Sequence, residues 1–145
     1  MTTVNVYLTF EGNCLEAFEF YKSVFGGEFN YVGKFSEMPP DPNIQVPESE
    51  KNKIMHISLP VSKETILMGS DRFSSQGPDL IVGNNFSISV NSGSREEADR
   101  FFNGLSKGGQ VTMPMADMFW GAYYGMFVDK FGINWMINYE LPREG

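Results

Sequence analysis

Val4 to Gly27 reads VNVYLTFEGNCLEAFEFYKSVFGG, and Asn84 to Gly109 reads NNFSISVNSGSREEADRFFNGLSKGG. Each stretch alternates apolar and polar residues, turns, continues at helical spacing and stops at Gly-Gly. Tyr7-Leu8-Thr9-Phe10 aligns with Ser87-Ile88-Ser89-Val90, and Ala17, Phe20 and Tyr21 align with Ala98, Phe101 and Phe102 after a one-residue slip in the turn. A long duplication of this kind marks two modules of one design.

In the first copy, Val4, Val6, Leu8 and Phe10 share one face of a strand, and Asn5, Tyr7 and Thr9 share the other. Asn13 and Glu16 resemble a capping box, and Leu15, Phe18, Tyr21, Lys22 and Phe25 fall near helical spacing up to Gly26-Gly27. Residues 28–35 read as a second strand. Residues 38–53 hold four prolines among polar residues and read as a long exposed loop. Strands at 54–61 and 64–70 complete the module.

Residues 71–83 form a Gly/Pro/Ser-bearing connection. In the second copy, Phe86, Ile88 and Val90 oppose Asn85, Ser87 and Ser89, and Ser94 with Glu97 makes an S-x-x-E capping box. Ala98, Phe101, Phe102 and Leu105 form the buried stripe of its helix. Strands are expected at 110–115, 122–129 and 133–140. The fold class is therefore α+β: two tandem βαβββ modules, 1–75 and 83–145, in a single domain spanning 1–145, with a mixed sheet cupped around a trough.

The 145 residues suffice for a core without covalent staples. The net charge of −7 opposes attraction to phosphate backbones, so no nucleic acid is expected as partner. No apolar run approaches the roughly 18 residues of a membrane span, and MTTVNVYLTF lacks the basic start of a signal peptide. The expectation is a cytoplasmic protein with no membrane partner. Cys14, the one cysteine, cannot form an intrachain disulfide. It is either a small packed residue or a thiol activated by the start of a helix.

Several stretches carry a family likeness: FEGNCLEAFEFYKSVFGG at 10–27, KIMHISL at 53–59, GNNFSISV at 83–90 and MFWGAYYGMFVDKFGINWMIN at 118–138. With the paired modules, they resemble the PhnB-like, or 3-demethylubiquinone-9 3-methyltransferase-like, proteins of the vicinal oxygen chelate superfamily. That superfamily includes glyoxalase I, extradiol dioxygenases and bleomycin-resistance proteins. The resemblance covers essentially the whole chain and implies a barrel-like sheet and a homodimer.

Glyoxalase-type relatives hold a divalent metal with His and Glu from the opening and closing strands of each module. In this chain the corresponding positions fall near Asn5, Asn85, Leu67 or Met68, and Met136, none of which is an imidazole or carboxylate. Asp71, Asn138 and Glu140 are too sparse for an oxygen-only site. Methyltransferases commonly cradle S-adenosylmethionine at a glycine-rich turn of a doubly wound sheet, and this chain contains no G-x-G. The expectation is no metal and no cofactor.

The expected trough is lined by Asn5, Tyr7, Thr9, Asn85, Ser87, Ser89, Asn134, Met136 and Asn138, with His56 and Ser58 on the same side. His56 is the only histidine and the candidate acid or base. For a lone histidine the first reading is a hydrogen-bonded sheet residue. Trp120 and Tyr123, in an aromatic run from Met118 to Tyr124, would add a surface for a flat ligand, for a partner protein or for core packing. Trp135 alternates with Ile133 and Ile137 and belongs in the core. The sequence thus points to a small molecule bound without metal in the trough between the two modules. Its alternative is a metal-independent or weakly metal-dependent enzyme on a small oxygenated or quinone-like substrate, using His56, Tyr7 or Glu140.

Overall fold

The computed structural model, which describes residues 2–74 and 77–142, divides into two units, Met1–Ile81 and Val82–Gly145. In the first, strand β1 (Val6–Phe10) leads to helix α1 (Cys14–Phe25), then β2 (Tyr31–Lys34), β3 (Ile54–Pro60) and β4 (Ile66–Asp71). In the second, β5 (Ile88–Asn91) leads to α2 (Arg95–Ser106), β6 (Gln110–Asp117), β7 (Ala122–Val128) and β8 (Asn134–Glu140). The sheets run β1-β4-β3-β2 and β5-β8-β7-β6. In each, the opening strand pairs parallel to the closing one and the other pairs are antiparallel.

Alternation decides which sheet face each helix covers. Leu8, Phe10, Leu67, Ile57 and Leu59 are buried with Ala17, Phe18 and Tyr21 of α1, while Tyr7 and Thr9 are exposed on the opposite face. Gly69 lets the helix approach, because a Cβ there would lie 2.8 Å from the Phe18 ring. Each large apolar side chain in this layer contributes about 1.5–3 kcal/mol. In the second unit Ala98, Phe102 and Leu105 of α2 are buried with Phe127, Trp135 and Ile137. Trp135 is core, as expected.

The two helices start differently. Ser94 Oγ accepts the Glu97 N–H at 3.1 Å and Glu97 Oε1 accepts the Gly93 N–H at 3.0 Å, so the expected box forms at α2. Asn13 makes no such bond at α1. Buried Asp71 replaces it, with Oδ1 accepting from Gly12 N–H at 2.7 Å and Cys14 N–H at 3.0 Å, and Oδ2 accepting from Ile54 N–H at 2.9 Å. A carboxylate at the end of β4 thereby fixes the β1–α1 turn to the sheet. Asp129 serves the second unit similarly, accepting from Phe131 and Ile133 N–H and from Trp135 Nε1 at 2.8 Å.

Two boundaries depart most from expectation. β2 is shorter than 28–35: its register slips between Gly33 and Lys34, and Phe35 begins a 3-10 turn. β5 begins only at Ile88, because Asn134 Nδ2 donates to Gly83 O at 3.1 Å and holds the chain ahead of β5 by a side chain instead of a ladder. Residues 38–53 form a mostly exposed loop containing the 3-10 turn Glu48–Glu50. Within the connection 71–83, residues 75 and 76 lie outside the described residues.

Candidate functional site

On the face of the first unit that α1 does not cover, register places Tyr7, Met68, Ser58 and Tyr31 in one row across β1, β4, β3 and β2. His56 follows Ser58 by one pleat, and Thr9 pairs with Ser70 on the same face. The imidazole stands between two phenol rings. Its centroid lies 5.7 Å from that of Tyr7, nearly parallel, and 5.8 Å from that of Tyr31. Tyr7 Oη lies 3.2 Å from His56 Nδ1.

This cluster has a local cause. Tyr31 folds back over Gly33, where a Cβ would meet its Oη at 2.5 Å, and Gly33 pairs with His56 across the ladder. A side chain at 33 would lift the ring away. The direction of this bond follows the tautomer: where Tyr7 donates to Nδ1, the neutral imidazole carries its proton on Nε2, which has no protein partner among the described residues. In either tautomer Nε2 offers one hydrogen-bonding group between two aromatic surfaces, a donor when Tyr7 donates to Nδ1. Tyr7 and Tyr31 remain 48% and 47% exposed, so a ligand can reach them.

In the second unit the corresponding face carries Ser89, Met136 and Met126 in one row and Asn91, Asn138 and Tyr124 in the next. Asn138 Nδ2 donates to Asn91 Oδ1 at 3.2 Å. Beside them an open cavity of about 490 Å³ is lined by Asn91, Ser92, Trp120, Asn138 and Glu140, together with Gly121 and Ala122. Trp120 sits edge-on to Phe119 and Tyr124.

Two expectations about facing change. Tyr123 lies on the α2 side, with its hydroxyl donating to Asp99 at 2.5 Å and Arg95 4.3 Å over its ring. The bond to Asp99, with burial, holds its phenol above the usual range. Tyr124, its neighbour, takes the open face. Asn85 and Ser87 precede β5, so strand alternation does not orient them. Asn91, Tyr31, Met68 and Ser70 were missed, although continuing the period-two count by one or two residues along each strand reaches them.

Asp71 is committed to three backbone N–H groups and is not free as a ligand. Cys14 is fully buried, and desolvation, then the charge of Asp71, push its thiol far up; an activated thiol at the helix start is thereby overturned. Asn5 Oδ1 accepts from Ile66 N–H, and its Nδ2 donates to Thr3. Among the described residues no three His, Cys, Asp or Glu side chains group to hold a metal ion, so the residues do not fit the metal that the glyoxalase-type fold implies. They do not fit S-adenosylmethionine at a strand-to-helix turn either. The N–H groups at the start of α1 point inward to Asp71, and Ser94 and Glu97 close the start of α2.

Two α+β units, each a mixed four-stranded sheet with a helix on one face, define a tandem-module protein of the glyoxalase/bleomycin-resistance/dioxygenase fold. A family model described as 3-demethylubiquinone-9 3-methyltransferase matches residues 2–138, and the chain belongs to this PhnB-like family. Protein YjdN of Escherichia coli (strain K12) is 33% identical over 141 residues, spanning 91% of each chain. The crystal structure of PA1353 from Pseudomonas aeruginosa superposes with a TM-score of 0.84 at 39% identity, covering 98% of this chain and all of that one, 100%. A PhnB protein from Bacillus cereus shares the fold with a TM-score of 0.72 at 22% identity, covering 97% and 100%. The fold likeness extends to a glyoxylase/bleomycin resistance protein/dioxygenase domain from Frankia sp. EAN1pec, at 0.61 and 17%, covering 100% and 94%. No helix among the described residues is long and apolar enough to cross a membrane.

Proposed function

We propose that this PhnB-like protein binds a small, flat, oxygenated molecule on the uncovered sheet face of its first unit, without a metal. The observation that carries the reading is His56 held between the Tyr7 and Tyr31 rings with Nε2 free of protein partners among the described residues. Aromatic rings at this spacing give a flat ligand two apolar walls. Nε2 gives it one directional hydrogen bond, and Ser58, Ser70 and Thr9 add hydroxyls on the same face.

His56 is the chain's single histidine, so its ring protons give one uniquely assigned NMR signal. Titration with 1,4-naphthoquinone as probe is expected to shift that signal saturably. His56→Gln and Tyr31→Ala are expected to weaken binding about tenfold, the order of one good polar or stacking contact. Saturable binding that leaves the ring signal unmoved overturns the reading.

A metal-independent enzyme is the second reading, and the Tyr7–His56 bond favours it. That bond fixes the ring orientation a general acid or base requires. A turnover that survives His56→Gln unchanged rules out this role.

A further inference from the structure

We propose that the second unit carries a separate binding site for a small organic ammonium group, in the cavity lined by Asn91, Ser92, Trp120, Asn138 and Glu140. Its volume of about 490 Å³ admits a small molecule. The proposal does not depend on the His56 face.

The lining chemistry selects a cation. Glu140 is the only charged lining residue, and no ion pair engages it among the described residues. Among the described residues the buried Ser92 hydroxyl oxygen has no hydrogen-bond partner. A buried hydroxyl left this way is costly unless something in the site completes it. The Asn138–Asn91 bond occupies one amide hydrogen of Asn138 and leaves Asn138 Oδ1 free to accept. An ammonium group brings three donors, and the carboxylate, the hydroxyl and this carbonyl supply three acceptors.

Trp120 adds an aromatic face, 55% exposed and braced edge-on by Tyr124 at 5.9 Å. An indole face is the strongest aromatic partner for a cation. An anion would find the opposite of what it needs. Glu140 repels it, and nearby backbone donors are already used, with Ser92 N–H on Asn138 O, Gly121 N–H on Met118 O and Leu141 N–H on Gly121 O. The net charge of −7 also draws cations to the molecule.

The test is an NMR titration with butylammonium chloride, with butanol and sodium butyrate as neutral and anionic counterparts at equal ionic strength. The chain has two tryptophans, and the buried Trp135 indole, bonded to Asp129, is the internal control. Butylammonium is expected to shift the Trp120 indole N–H saturably and leave that of Trp135 in place. Glu140→Gln, isosteric at an exposed position, is expected to weaken binding at least tenfold, and Ser92→Ala severalfold. Equal shifts with butanol or butyrate, an unchanged Glu140→Gln affinity, or no saturable shift each overturn the proposal. The His56 ring signal, read in a separate titration with naphthoquinone, reports on the first-unit site whatever happens here.

Discussion

Glu50 shows how much one side chain can hold in place. Its carboxylate accepts from Lys53 Nζ at 2.7 Å and from the hydroxyl and backbone N–H of Ser74 at 2.8 and 3.1 Å, tying the end of the 38–53 loop to the start of the inter-unit connection. These bonds, that from Lys53 foremost, lower its pKa from 4.5 to about 2. Because the folded value is depressed, the stabilisation is complete above the unfolded value near 4.5 and is lost as pH falls toward 2. The Ser74 amide resonance should therefore titrate with a midpoint near 2, and Glu50→Gln should remove that transition. A midpoint near 4.5 contradicts it. Alternation alone places Tyr7 and Thr9 on the open face, and the β1–β4–β3 register puts His56 on the same one. Tyr123 was misplaced because an acidic partner on α2, Asp99, stands opposite its strand, and one sequence does not pair residues across elements.

The elements divide by whether their signals are local. The α2 start was legible because Ser94 and Glu97 lie three residues apart and complete each other. Ser94→Ala should destabilise the protein by about 1 kcal/mol, measurable as a lower midpoint in urea denaturation at unchanged slope. No change in midpoint contradicts the cap assignment. The α1 start was not legible, since its cap comes from Asp71 at the far end of the module, and Asn13 imitates a box it does not make. β5 was read too long for a similar reason. Its alternation runs back to Asn85, but Asn134 holds Gly83 by a side chain, and the ladder starts at Ile88.

Over the whole chain, duplication was the strongest signal. Two copies of strand, capped helix and Gly-Gly predicted both four-stranded sheets and their covered faces. The cavity beside Glu140 was only half legible. Trp120, Asn138 and Glu140 stand out by residue type, whereas Asn91 and Ser92 reach it through the return of β8 beside β5. The family shows the fold, and among the described residues no three His, Cys, Asp or Glu side chains group to hold a metal ion; in the function proposed above, rings, hydroxyls and one imidazole carry the recognition. The most direct test measures 1,4-naphthoquinone affinity before and after exhaustive chelation, with elemental analysis of both samples. The account predicts the same affinity in both; binding lost on chelation and restored by a divalent transition metal would contradict it.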